Sequence, residues 1–290
     1  ESDNSKFTNN LASASGGAIY NVSRTYSSTS DEFTYNYSNS QRSETLATSS
    51  GTSEASVTIK NGIFSSNTAS SGSGGAIYNY SRAYAYHHND RSYGENTLRV
   101  TTISTADVTI TNSQFNQNKA SIHGGAIFNE SYTYAEGYKY LHDTVYSTVR
   151  ATSSVNVYLN QVTFQKNNAG NGYGGAVYNK SYAETYAHSR SFDDPAHSTV
   201  TTNSTASVFA TQTTITENKA TYGGGIYNIS EGYGDAYSRH NSGEYNDSTY
   251  STSSVTSQAT VTIQNNSSIT KNQALNGQGG GIYNYSSAIS

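Results

Sequence analysis

The feature that most constrains this 290-residue chain is one block written six times. It reads G-G-A-I-Y-N at residues 16–21 and 74–79, G-G-A-I-F-N at 124–129, G-G-A-V-Y-N at 174–179, and G-G-G-I-Y-N at 223–228 and 279–284. The first glycines lie 58, 50, 50, 49 and 56 residues apart. A second block, F-x-x-N, precedes four of the copies at 7–10, 64–67, 115–118 and 164–167, with Ile for Phe at 215–218 and 269–272. A third, V-x-I, comes earlier still, as Val57 and Ile59, Val108 and Ile110, Val157 and Leu159, Val208 and Ala210, Val261 and Ile263. Each unit thus offers three short apolar strands separated by Gly, Asn and Ser turns. Strands this short cannot bury a face alone, but copies stacked on one another can.

The expected fold is therefore an all-β solenoid of about six coils. The chain reads as one domain, residues 1–290, with units of approximately 1–56, 57–107, 108–156, 157–207, 208–260 and 261–290. Strand alternation assigns the faces. If Ile19 points inward, Gly17 and Asn21 share its face, while Ala18 and Tyr20 point out. Stacking then gives an aliphatic ladder of Ile19, Ile77, Ile127, Val177, Ile226 and Ile282, and an aromatic ladder of Tyr20, Tyr78, Phe128, Tyr178, Tyr227 and Tyr283. An amide ladder follows from Asn21, Asn79, Asn129, Asn179, Asn228 and Asn284, each side chain satisfying its neighbour. The second block adds Phe64, Phe115 and Phe164 with Asn67, Asn118 and Asn167. The paired glycines suit a corner that needs positive φ or close backbone approach.

Composition agrees with stacking. Only 12% of residues are charged, whereas 84 are Ser or Thr, 31 Asn and 27 Tyr. Like charges about 4.8 Å apart repel, while amides, hydroxyls and rings attract. A single Pro and 35 Tyr or Phe argue against a disordered linker. A net charge of −4 without a basic run excludes a nucleic-acid or anionic-membrane footprint. No apolar run approaches the roughly 18 to 20 residues of a spanning helix. The absence of Cys removes thiolate chemistry, disulfides and the usual structural zinc sites. The chain opens without Met or an apolar leader and reads as a processed or excised product.

These residues carry a resemblance. G-G-A-I/V together with F-x-x-N resembles the paired repeat of the chlamydial polymorphic outer membrane proteins, and is similar to coils of right-handed parallel β-helix surface proteins and autotransporter passengers. The resemblance implies a right-handed parallel β-helix at a cell surface. This chain is expected to depart from it in lacking a translocator barrel, and it has long inserts.

Between each block-ending Asn and the next V-x-I lie 35, 28, 27, 28 and 32 residues, where a plain coil needs only a turn. Residues 80–88 and 97–105, like 131–138 and 144–152, alternate with period two around a polar turn, which reads as a β-hairpin. Stacked hairpins would form a projecting Tyr/Ser-rich fin of two sheet layers, held by Tyr ladders with little aliphatic core. Asn89-Asp90, Asp193-Asp194-Pro195 and Asn246-Asp247 would be its tips.

No catalytic constellation emerges. His87, His88, His142, His188, His197 and His240 lie in the inserts without recurring at equivalent positions, so they read as solvated side chains and not as metal ligands. Asp193-Asp194 and Asp31-Glu32 are the adjacent acids, and neither recurs in a neighbouring unit. N-x-S sequons at the six ladder Asn read as scaffold, with the Ser a turn hydroxyl; those at Asn36, Asn203 and Asn246 are the more accessible. Thr58, Thr109, Tyr158, Phe209 and Thr262 do not keep the Thr rank that ice binding needs. No metal, catalytic residue or cofactor is assigned. The expected function is a secreted, non-enzymatic structural protein, a homopolymer of coils stacked head to tail in an extracellular fibre or surface layer, with cell-surface or glycan ligands as further partners. Alternatives are a monomeric adhesin or passenger, and a carbohydrate-active β-helix enzyme.

Overall fold

The computed structural model describes residues 2–30, 45–92, 96–141, 144–192, 195–240 and 249–290, and contains no helix among them. The chain is an all-β parallel β-helix. Every named strand pairing is parallel, and each joins a strand to its equivalent one coil away. One large sheet holds the outgoing strands, Ile19–Ser30, Ile77–Ser92, Ile127–Leu141, Val177–Ser191, Ile226–His240 and Ile282–Ile289. The other holds the returning strands Thr45–Lys60, Asn96–Asn116, Val145–Gln165, Ala196–Thr211 and Tyr250–Gln264. Short strands such as Ile63–Ser65 and Thr68–Ala69 complete each coil.

Three corners bend each coil, and all use left-handed backbone. Residue φ is positive at Asn4, Asn61, Asn112, Gln161 and Gln212, again at Asn9, Ser66, Gln117, Lys166, Glu217 and Lys271, and a third time at the first glycine of each G-G pair. Glycine is demanded only at the third. A Cβ on Gly124 would sit 2.2 Å from the Ile127 carbonyl oxygen, and one on Gly125 would sit 2.1 Å from the Gly175 oxygen of the next coil. The first glycine therefore permits the bend, and the second permits the next coil to approach.

Ile19, Ile77, Ile127, Val177, Ile226 and Ile282 pair in register, and the four middle coils bury them completely. The rings of Phe7, Phe64, Phe115 and Phe164 stack beside them at 4.6–4.9 Å, continued by Ile215 and Ile269. The expected alternation fails at one place. Ala76, Ala126 and Ala176 do not point out but join the same core as the following Ile or Val. The amides of Ala76 and Ile77 both donate to the Ala126 oxygen, so two residues occupy one pairing step and the side-chain alternation slips there.

The inserts are not hydrogen-bonded hairpins. Their two limbs belong to different sheets, so each backbone bonds to the coils above and below, and the limbs meet through side chains as a β-arch. Nor do Tyr ladders fill the space between them. The interior is a second core of Leu98, Val100, Val149 and Val200 from returning strands against Ala85, Ala135, Ala183 and Ala187 from outgoing ones. Large meets small: a Cβ on Gly137 would come within 2.8 Å of Val149 Cγ2. The sequon serines are not turn hydroxyls either. Ser81, Ser131, Ser181 and Ser230 are buried between the sheets, where Ser104 Oγ reaches Ser81 at 2.8 Å, Ser153 reaches Ser131 at 2.9 Å and Ser204 reaches Ser181 at 2.8 Å. The tips at Asp31-Glu32, Asn36, His142, Asp193-Asp194 and Asn246-Asp247 lie outside the described residues.

Candidate functional site

Two amide ladders fix the geometry on which any surface depends. Asn118 Oδ1 accepts from the Asn67 backbone N–H at 3.1 Å and from Asn67 Nδ2 at 2.9 Å, while Asn118 Nδ2 donates to Asn167 Oδ1 at 2.9 Å and to the Phe64 oxygen at 3.1 Å. The pattern repeats from Asn10 to Asn272. The second ladder, Asn21 through Asn79, Asn129, Asn179 and Asn228 to Asn284, runs on Nδ2–Oδ1 bonds of 2.7–3.0 Å. It also ties outgoing to returning strand: Asn129 Nδ2 donates to the Ala106 and Asn156 oxygens, both at 3.1 Å. Asn79, Asn129, Asn179 and Asn228 are fully buried.

Held by this clasp, the outgoing sheet turns its other face outward, and eighteen of the 27 tyrosines stand there in rows set by the register. The first row is the predicted aromatic ladder. Tyr20, Tyr78, Phe128, Tyr178, Tyr227 and Tyr283 stack at 4.7–5.4 Å with interplanar angles of 1–5°. It is not uniformly open: Tyr20 is 58% exposed, yet Phe128 and Tyr178 are 4% and 5% exposed. A second ring layer covers them, with His123 stacked on Tyr173 and Tyr178 at 4.8 Å and Tyr173 on Tyr227 at 4.8 Å. His123, the histidine outside the inserts, thus escaped the sequence reading; its place just before G-G, matched by Tyr173 and Tyr222, was the available signal.

Several charges on this face engage its rings or one another. Arg24 lies over the Tyr80 ring at 5.8 Å, Arg82 over Tyr132 at 5.1 Å and Arg190 over Tyr140 at 5.0 Å. Lys180 Nζ meets Glu231 Oε2 at 2.7 Å. The Tyr134 hydroxyl donates to Glu136 at 2.6 Å, Tyr132 donates to Glu184 at 3.3 Å, and Tyr186 also donates to Glu184. Burial raises the hydroxyls of Tyr78, Tyr132 and Tyr227 above the usual phenol range, and Tyr182 is pushed up to about 12 by burial and then by Glu184. These phenols remain protonated donors. Glu130 is pushed up to about 7, first by burial and then by Glu231, against the pull of Lys180. His123 is pushed down to about 4 by burial, with Lys180 adding to it, and its Nδ1 accepts the Tyr173 N–H at 3.2 Å.

The predicted histidines fall into the ring rows. His88 pairs with Tyr138, Tyr138 with His188 and His188 with Tyr237, while His197 stacks between Tyr146 and Tyr250 at 4.7 and 5.3 Å. His87 departs from its expected solvation: it is fully buried in the fin, with Nδ1 2.7 Å from Thr29 Oγ1. His240 lies at the end of its outgoing strand. Among the described residues, no three His, Cys, Asp or Glu come together to hold a metal ion. Asn203 sits on the outer face of the returning sheet, in register with Thr152 and Thr256.

The geometry defines a class: a parallel β-helix whose repeats lay down scaffold ladders while long inserts display a ring-covered face. The family model of the Chlamydia polymorphic membrane protein repeat matches residues 4–22, 61–80, 112–130, 161–180 and 260–285. The chain thus carries five stretches similar to that repeat. No curated protein and no solved structure matches it. The first four spans begin at a corner, run through the F-x-x-N strand and end just past G-G-A-I/V. They cover the wall of the coil, and the aromatic inserts lie between them.

Proposed function

We propose that the chain is a non-enzymatic structural rod at the cell surface, its aromatic face making lateral or adhesive contacts and its coils stacking head to tail between copies. The repeat type supports the surface setting. One observation carries the stacking. The ladders run in register through all six coils, and the outer edge of Ile19–Ser30 and that of Ile282–Ile289 open on the same three residues, Ile-Tyr-Asn. An edge of this kind is a template for the next strand, and a heterologous contact of this kind extends without closing.

Gly280 tests the idea. In the inner coils the second glycine has no room for a Cβ because the next coil's carbonyl lies against it, whereas a Cβ on Gly280 would meet nothing nearer than the Asn272 oxygen at 3.4 Å. Gly280→Ala is therefore expected to leave subunit stability unchanged and to abolish filaments in electron micrographs. Dispersed short rods of the unmodified chain at high concentration, or undiminished filaments of the variant, would remove the head-to-tail reading and leave the monomeric surface passenger. Turnover on a panel of glycans, lost on Glu136→Gln or Glu184→Gln, would instead favour the carbohydrate-active alternative.

A further inference from the structure

Four of the chain's lysines, each about a repeat apart in sequence, meet at the corner beside the buried Asn67 to Asn272 ladder. Lys119 and Lys219 stand in one row with Asn168 bridging between them, and the row continues to Gln273. Lys166 and Lys271 stand in the adjacent row at left-handed backbone, φ 57° and 56°, with Glu217 between. One ammonium group per coil therefore zigzags along coils three to six at the strand spacing of about 4.8 Å. Together with the intervening amides they line an open trough of about 820 Å³. In the first two coils the equivalent positions hold Leu11 and Thr68, and Asn9 and Ser66, so the strip is confined to the last four coils.

Two features make this more than a solvated edge. Lysine has none of the local hydrogen bonding that lets Asn adopt left-handed backbone, yet it stands at that corner in two coils, where the first coil holds Asn9 and the others Ser66, Gln117 and Glu217. The chain as a whole is acidic at −4, whereas this strip carries four cations against one acid. That acid, Glu217, only loosely engages its neighbour, with Lys166 Nζ 3.7 Å from Oε2 and both side chains well exposed.

We propose that the strip binds a linear acidic polysaccharide, whose carboxylate or sulfate groups pair with the ammonium groups while Asn168 and Gln273 hydrogen-bond sugar hydroxyls. The charges are spread in a line and do not converge, which fits a polymer better than a small anion. No arginine fork is present for bidentate phosphate. No ring lines the trough on which a nucleobase could stack. The site lies apart from the aromatic face and reaches the last coil at Lys271, Asn272 and Gln273. Polymer binding reads the strip and electron micrographs read the stacking, so failure of the one leaves the surface-rod reading untouched.

The experiment measures binding of the full chain to immobilised heparin and to polygalacturonate, which distinguish sulfate from carboxylate, with dextran and oligodeoxythymidine as comparators. Replacing Lys119, Lys166, Lys219 and Lys271 together by Gln is expected to weaken binding to the preferred acidic polymer by at least about tenfold and to flatten its salt dependence. Glu217→Gln is expected to tighten binding. Arg99→Gln with Arg150→Gln, on the outer face of the returning sheet, is expected to change neither, and thermal unfolding confirms that each variant is folded. Absence of binding to either acidic polymer, equal binding by the four-lysine variant, no gain from Glu217→Gln, or equally tight oligodeoxythymidine binding would overturn the proposal.

Discussion

At the residue scale the fold rests on side chains that leave their neighbours no alternative partner. Asn118 serves two donors of Asn67 and gives two of its own, all buried. Asn118→Ala orphans the Asn67 backbone N–H and one Nδ2 hydrogen, the other staying on the Phe7 oxygen, and is expected to lower unfolding free energy by about 4 kcal/mol, at about 1–3 kcal/mol for each stranded group. Urea titration checks this, and a loss below about 1 kcal/mol would mean that water replaces the ladder. The two shifted groups on the aromatic face predict opposite pH slopes. Glu130, raised from 4.5 to about 7, keeps its proton in the fold longer than in the unfolded chain, so stability falls as pH rises across that window. His123, lowered from 6.5 to about 4, loses its proton earlier in the fold, so stability falls as pH drops across that window. Melting temperature against pH should therefore show a rising limb near pH 5–6 in Glu130→Gln and a falling limb in His123→Gln; parallel profiles would refute the assignment. The ladder positions were legible because identical residues recur at fixed spacing. The left-handed corners at Gln161, Lys166 and Glu217 were not, because stacking holds there a backbone that those residue types do not announce.

At the scale of elements, the informative contrast lies between coil wall and insert. The period-two alternation of the inserts gave their strands and their inward and outward faces, but not their partners. A hairpin and an arch have the same alternation, and only the competition of neighbouring coils for the backbone amides decides between them. The same competition frees the tyrosines from the interior, since two sheets approach closely when one contributes alanine and glycine and the other valine and leucine. Ala135→Leu is accordingly expected to cost about 1–3 kcal/mol through overpacking. Thr101→Val, on the outer face of the returning sheet, should change stability by no more than about 0.5 kcal/mol. Equal effects in denaturant titrations would contradict the packing described for the fin. The slip at Ala126 was hidden for a related reason: alternation assumes one residue per pairing step, and here two amides share one carbonyl.

At the scale of the whole molecule, sequence neighbours a full repeat apart are spatial neighbours, and so lysines scattered singly along the chain become a strip. No window of local composition could reveal that, although alignment of the repeats on their F/I-x-x-N blocks does. The parallel register has a mechanical consequence. Bonds between coils point along the stack, so tension applied to the two chain ends loads them in series, and the weakest end coil peels before its neighbour bears load. Held in an optical trap, the rod should lengthen in discrete steps of about 170 Å, the extended reach of a repeat of about 50 residues. A single cooperative rip would mean that the fins, and not the coils, carry the force.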